Sequence, residues 1–365
     1  MQFPEHTLES YKAAAIQGAG VIECDVTFTK DKQLVCRHSQ CDLHTTTDVV
    51  TRPEMNAKCT TPFVAGSGTN PKCCTSDFTL EELKTLCAKM DSSGSVNATS
   101  AEAYAFGGTP DWRTDLYQDS KCHEIPTHKE YIEFVDSFGR KFTPELKTPS
   151  VEMPYDGLTQ EGFAQMMIDE YVELGIPPEK VYPQSFLTSD VYYWVENTDY
   201  GGNAVALDEV HLTDGDYRAW HANLTDQGVR IVAPALWMLV ESDPSSELGM
   251  KQSDYASSAQ EHGLDIIAWT LEHVWYWQSL QNNTLDDGDK FGLLWTLYWS
   301  GVIGVFSDWP ATLTYFANCL EIGESSDDTT PEEETEGEDP ENAGGSRALR
   351  VASRLVSLAL RFVGV

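Results

Sequence analysis

The chain has 365 residues, with 58 acids against 24 Lys and Arg, a net charge of −34, and 41% hydrophobic residues. That balance excludes a general nucleic-acid binder, which needs a basic footprint, and it supports one large α/β barrel or two ordinary domains. Nine cysteines are many for a cytosolic enzyme. No CxxC pair is matched by a second, so disulfides in an oxidising compartment are the better expectation than zinc.

The spacing of Leu8, Tyr11, Ala15 and Ile16 predicts a helix from Thr7 to Gly18, with Thr7 as N-cap and Gly18 as stop. A strand at about 20–28 follows. Its polar exceptions, Glu23 and Asp25, are two residues apart and so share one face. Two carboxylates on one face need a cation or a proton between them. Lys30-Asp31-Lys32 turns the chain, and Gln33 to Arg37 brings His38 back towards those carboxylates. A hard divalent cation on oxygen ligands, with an imidazole beside it, suits phosphate-ester hydrolysis.

Residues 39–130 are rich in Thr, Ser, Cys and Gly and read as an insertion, a disulfide-stapled lid beside an active-site mouth, with one short helix from Thr79 to Lys89. Cys36 and Cys41 flank His38, and one disulfide is expected between them or from them to the 59–87 cluster. Sequons stand at Asn97, Asn223 and Asn282.

From residue 130 strands and helices alternate: helix Lys129–Phe138, strand Lys141–Leu146, helix Gln160–Leu174, strand Lys180–Ser185, strand Ala204–Leu207, helix Asp214–Asn223, strand Arg230–Ala233, helix Asp254–His262, strand Asp265–Thr270 and strand Val302–Ser307. Repeated βα units argue for a parallel sheet closed as a (β/α)8, or TIM-type, barrel. Polar residues gather at strand C-terminal ends, where such barrels build their sites: Glu145, Lys147, Gln184, Asp208, Trp269 and Asp308.

Beyond Cys319 the composition breaks, which divides the chain into a barrel domain (1–320), an acidic linker (321–346) and a basic amphipathic segment (347–365). The linker carries eleven acids and no Lys or Arg and reads as disordered. On a helical wheel Arg347, Arg350, Arg354 and Arg361 share one arc, the form of an interfacial helix that would touch a membrane surface. Two other readings stay open: a lipid-anchor signal after Ala343-Gly344-Gly345-Ser346, against which Arg361 weighs, and a helix packed on the barrel.

Pro4-Glu5-His6-Thr7-Leu8-Glu9-Ser10-Tyr11, the Glu23/Asp25 strand, His38, Phe142-Thr143-Pro144-Glu145-Leu146-Lys147, Pro183-Gln184-Ser185-Phe186, Ala268-Trp269-Thr270 and Gly304-Val305-Phe306-Ser307-Asp308-Trp309-Pro310 come in the order of one family. Together, over residues 1 to about 316, they resemble the glycerophosphodiester phosphodiesterases. The resemblance implies a Ca2+ or Mg2+ ion on Glu23, Asp25 and Glu145, with His38 as general acid or base. Lys147 would stabilise charge on the phosphoryl oxygens. Trp269 would form a wall against glycerol, and Gln184 would bond phosphate or glycerol. The implied reaction hydrolyses a small-molecule glycerophosphodiester to an alcohol and sn-glycerol 3-phosphate, in lipid metabolism, with no protein partner implied. His6 and His44 are expected to be structural. A sphingomyelinase D-like phospholipase and a non-catalytic secreted barrel are the alternatives.

Seven strands can be counted where such a barrel has eight, and the first strand of the family carries a His-Arg pair that has no counterpart here. No signal peptide precedes Pro4 either. All three point to one expectation: an N-terminally truncated, secreted or cell-surface protein that is a poor enzyme on its own.

Overall fold

A run of apolar residues covered on both faces favours a parallel strand, and Val21–Phe28 (β1) is buried at every position but Glu23. The computed structural model describes residues 3–106, 122–246, 248–272 and 287–319. Leu34–Cys36 (β2) returns antiparallel along β1, with Cys36 opposite Val26, and the Cys24–Cys36 disulfide ties the two arms. The chain then adds Lys141–Leu146 (β3), Gln184–Ser185 (β4), Val205–Asp208 (β5) and Ile231–Pro234 (β6). Val240–Ser242 (β7) and Met250–Gln252 (β8) form a separate hairpin, and Asp265–Ala268 (β9) and Val302–Val305 (β10) complete the main sheet.

That sheet has eight strands in the order β10-β9-β6-β5-β4-β3-β1-β2. The seven expected strands are all present and pair in parallel. The eighth member is β2, at the edge beyond β1. Among the described residues no pairing joins β10 to β1, so the sheet curls as a half-barrel with helices outside.

Alternation along the strands divides the core. Ile22, Cys24 and Val26 point out to helix His128–Ser137 and its neighbours, in a cluster with Tyr131, Phe142 and Phe163. Val21, Val205, Leu207, Ile231, Ile267 and Ile303 fill the concave side. Glu23 and Asp25 share the face of Val21 and therefore stand above this apolar floor.

Helix Leu8–Ile16 forms as expected, with a capping box between Thr7 and Ser10. Gly18 ends it at φ 96°, and a Cβ there would lie 2.6 Å from Thr314 Cγ2, so glycine is required on both counts. Other expectations are corrected. The helix from Thr79 stops at Leu83, because Cys87 bonds Cys122 and Ala88 pairs with Thr47 and His123. The strand at 180–185 shrinks to β4, since Pro178–Lys180 is a 3-10 turn and Pro183 has no N–H to donate. Helix Asp214–Asn223 starts instead at Tyr217, after Gly215 takes a left-handed conformation at φ 75°. Helices Thr188–Asn197, Asp287–Trp299 and Pro310–Cys319 were not anticipated.

The insertion carries a hydrophobic centre of its own, around Val49, Phe78, Leu83 and Tyr104. Three bridges staple it: Cys41–Cys74, Cys59–Cys73 and Cys87–Cys122. Cys41 thus bonds into the 59–87 cluster as expected, while a Cys36–Cys41 bridge is overturned, because the hairpin register sets Cys36 beside Cys24. The linker 321–346, the basic segment 347–365 and Asn282 lie outside the described residues. Asn97 and Asn223 are exposed. No helix among the described residues is long and apolar enough to cross a membrane.

Candidate active site

The register of the parallel strands assembles the site. Asp25 of β1 is opposite Glu145 of β3, and Glu145 is opposite Gln184 of β4. One level of the sheet therefore carries three polar side chains from segments far apart in sequence. Glu23, Asp25 and Glu145 each offer a carboxylate oxygen, and these oxygens lie within 4.8 Å of one another. At an effective dielectric of about 20, two ionised carboxylates at such a distance repel by about 3–4 kcal/mol. They cannot all ionise without a counter-charge.

The electrostatics follow from that crowding. Burial pushes Glu23 well above the usual carboxylate range, and the charges of Asp25 and Glu145 add to it. Burial also drives Glu145 up to about 7, with the Lys147 ammonium opposing and Asp25 reinforcing the rise. Asp25 goes the other way. Burial raises it, but Lys147, then His6 and His38, outweigh burial and hold it well below the ordinary value. Lys147 is raised above its own ordinary value despite burial, by Asp25 and Glu145. Its Nζ donates to Glu145 Oε1 at 2.8 Å and lies 4.0 Å from Asp25 Oδ1. Without a cation the site thus balances one lysine against Asp25, and burial favours the protonated forms of Glu23 and Glu145.

Asp25 Oδ1 is buried and accepts no hydrogen bond. An orphaned anionic oxygen facing two further carboxylates fits a hard divalent cation and its all-oxygen ligation. These three residues would hold such an ion.

Gln184 is fully buried, and its Nε2 donates to Glu23 Oε1 at 2.6 Å. Its amide therefore orients a carboxylate. Trp269 donates Nε1 to Ala233 O at 2.8 Å and meets Phe186 and Trp237 edge to face. Trp269 and Phe186 make one wall of a cavity of about 450 Å³, which Glu23, Asp25, Glu145, Lys147 and His38 also line. His38 is exposed to that cavity, and its ring makes no hydrogen bond among the described residues. It is close enough for its charge to act on both Asp25 and Glu145.

His6, expected to be only a helix-start residue, is drawn into the site. It is buried, and its Nε2 lies 2.9 Å from Asp25 Oδ2 and its Nδ1 3.2 Å from the Tyr11 hydroxyl. Its backbone is left-handed at φ 51°, a conformation costing an L-residue about 1–2 kcal/mol. Local sequence shows only that it precedes an N-cap. Its contact with Asp25 arises from helix Leu8–Ile16 packing beside β1. His44, by contrast, stacks on Tyr104 inside the insertion. Asp91, from the insertion, and Glu209 and Asp308, from strand ends, complete the cavity's acidic rim; nothing in the local pattern singled out Asp91.

The comparisons with known proteins place the chain in one family. The model of the glycerophosphoryl diester phosphodiesterase family matches residues 1–312. A curated protein of Arabidopsis thaliana, glycerophosphodiester phosphodiesterase GDPD6, is 41% identical over 334 residues, 86% of this chain and 82% of that protein. A protein of Arthroderma benhamiae described as an extracellular protein is 39% identical over 242 residues, 62% of this chain and 97% of that one. An Oleispira antarctica phosphodiesterase, solved in complex with the product sn-glycerol-3-phosphate, shares the fold at a TM-score of 0.52 and 18% identity, covering 87% of this chain and 92% of its own. With carboxylates and a lysine gathered at one level of the sheet in a matching fold, the chain belongs to the glycerophosphoryl diester phosphodiesterase family and is a phosphodiesterase.

Proposed function

We propose that the protein hydrolyses glycerophosphodiesters to an alcohol and sn-glycerol 3-phosphate, with a divalent cation, Ca2+ or Mg2+, on Glu23, Asp25 and Glu145. The observation that carries this reading is the convergence of three carboxylate oxygens within 4.8 Å beside a lysine. When bound, the cation would polarise a phosphoryl oxygen and offset the charge that builds there. Lys147, beside Glu145 and Asp25, supports the same charge. His38 exchanges the proton of the attacking oxygen, since its ring reaches the cavity without a competing partner. His6 fixes Asp25 instead, because both of its nitrogens are engaged. Gln184 steadies Glu23, and Trp269 presents a flat apolar face to the glycerol carbons.

The lipid context rests on the substrate class, glycerophosphodiesters being what remains when both acyl chains leave a glycerophospholipid. Work outside the cell is supported by four disulfides, which persist in oxidising compartments, and by the extracellular description of the Arthroderma relative. The test is chromatographic. Purified protein, stripped by chelator and reloaded with Ca2+ or Mg2+, is expected to release choline and sn-glycerol 3-phosphate from glycerophosphocholine only when reloaded. A cyclic phosphate as end product would transfer the chain to the sphingomyelinase D-like alternative, and cation binding without turnover would leave a non-catalytic barrel.

A further inference from the structure

A second cavity, of about 390 Å³, lies beside the first and shares Glu145, Lys147, Phe186, Leu207 and Glu209 with it. Asp208, the last residue of β5, and His211, just beyond it, also line this second cavity. Asp208 is buried, and four donors fix its carboxylate: the Tyr255 hydroxyl at 2.7 Å, His211 Nδ1 at 2.8 Å, and the backbone N–H groups of Val210 and His211 at 3.0 and 3.1 Å. The His211 ring is also stacked on Trp220, at 4.2 Å between centroids and 13° between planes.

This histidine differs from His6 and His128. His6 and His128 have both ring nitrogens engaged by neighbours, as structural imidazoles usually do. In His211 the bond to Asp208 assigns the proton-bearing nitrogen to Nδ1. Among the described residues Nε2 has no hydrogen-bond partner, and the side chain is 28% exposed. A carboxylate that orients an imidazole, whose second nitrogen is left to a cavity, is the arrangement of a proton-transfer pair.

The two cavities meet at Glu145 and Lys147. A phosphodiester has two alcohol halves on one phosphorus, so a phosphoryl group at that junction would send one half into each cavity. We propose that the second cavity takes the departing alcohol and that His211, held by Asp208, is the acid that protonates its oxygen. The inference rests on the diesterase reading above. In the step, the attacking oxygen forms its bond to phosphorus and passes its proton to His38. The bond from phosphorus to the alcohol oxygen breaks with its electron pair on that oxygen, which takes the proton from Nε2 of the His211 imidazolium. Solvent then exchanges the proton off His38 and restores the one on His211.

The test compares two esters of sn-glycerol 3-phosphate, one with choline and one with 4-nitrophenol, in wild type and His211→Gln. Choline leaves as a strongly basic alkoxide and needs a proton, whereas nitrophenolate does not. Loss of an acid should lower kcat for the choline ester by about 10²–10⁴-fold and for the nitrophenyl ester by less than about 3-fold. Asp208→Asn, which disturbs the tautomer, should reproduce that selectivity, with thermal melting of both variants to check folding. Equal losses on both esters, or no loss on either, would overturn the role of His211. Wild-type protein that cleaves neither ester would remove the diesterase reading itself, and the inference with it.

Discussion

The curled sheet and the cysteine-rich insertion are built on opposite plans. In the sheet, neighbours in space are distant in sequence: Asp25 faces Glu145, and Glu145 faces Gln184. In the insertion, order comes from one-turn helices, close-range hydrogen bonds and three bridges with separations of 33, 14 and 35 residues. Lys89 shows the local style, with its ammonium donating to the carbonyl and hydroxyl of Ser92 at 2.9 and 3.0 Å. Strand register can bring like charges together against their repulsion, because a buried apolar floor of Val21, Leu207 and Ile231 holds the backbones. The insertion holds itself together and contributes a rim. Chemistry therefore sits on the sheet, and Asp91 and Ser39 are what the insertion offers to the two cavities.

If that division is right, the largest effects come from the sheet's own carboxylates. Glu145→Gln keeps an oxygen to accept from Lys147, so the fold should persist, but it removes a charged ligand. Cation affinity should fall by more than the 10–100-fold typical of residues behind the ligands. The pH dependence sharpens the point. Without a cation, Glu145 carries a proton until about pH 7, and a bound ion must displace it. Wild-type affinity should rise with pH through 7, and the rise should be shallower in Glu145→Gln. Stability of the cation-free protein should move in the opposite sense. A carboxyl whose pKa is raised on folding favours the folded state at low pH, and that contribution fades as pH climbs from the ordinary 4.5 to about 7. Calorimetric titrations at pH 6 and 8 that give equal wild-type affinities would take Glu145 out of the cation site.

The sequence made much of this visible for a physical reason. Glu23 and Asp25 stand out because charge inside an apolar strand is costly, and Glu145, Lys147 and Trp269 because they sit where βα strands end. All seven parallel strands were legible from apolar runs bounded by turns. What escaped depends on tertiary packing. His6 looks like an ordinary residue before a helix until that helix lies along β1. Asp91 lies within a long irregular stretch, and the pairing of Cys36 with Cys24 is decided by hairpin register. Helix Thr188–Asn197 hides because Val191 and Trp194 bury their faces among residues that alone favour strands.

Next in size is Gln184. Its contact with Glu23 belongs to the sheet, since β4 sets it there. Gln184→Leu keeps the volume but withdraws the donor. Cation affinity should drop about 10–100-fold, with kcat at saturating cation largely kept. A loss of kcat that added cation cannot restore would mean that Gln184 meets the substrate directly.

The smallest effect on activity should come from the insertion. Cys59 and Cys73 close a loop of 14 residues and line neither cavity, and removing such a bridge costs about 3 kcal/mol by the chain-entropy argument. In a Cys59→Ser, Cys73→Ser double variant that loss should stay within the insertion, because its cluster around Phe78 and Tyr104 is separate from the core behind the sheet. Amide exchange should therefore speed up through residues 43–88 while β1, β3 and β5 stay protected. Activity should change by no more than the displaced rim allows, about 2–3-fold, well under the effect of a lost proton-transfer group. Faster exchange across β1 and β3 together with the insertion would break the comparison, since it would make the two regions one cooperative unit.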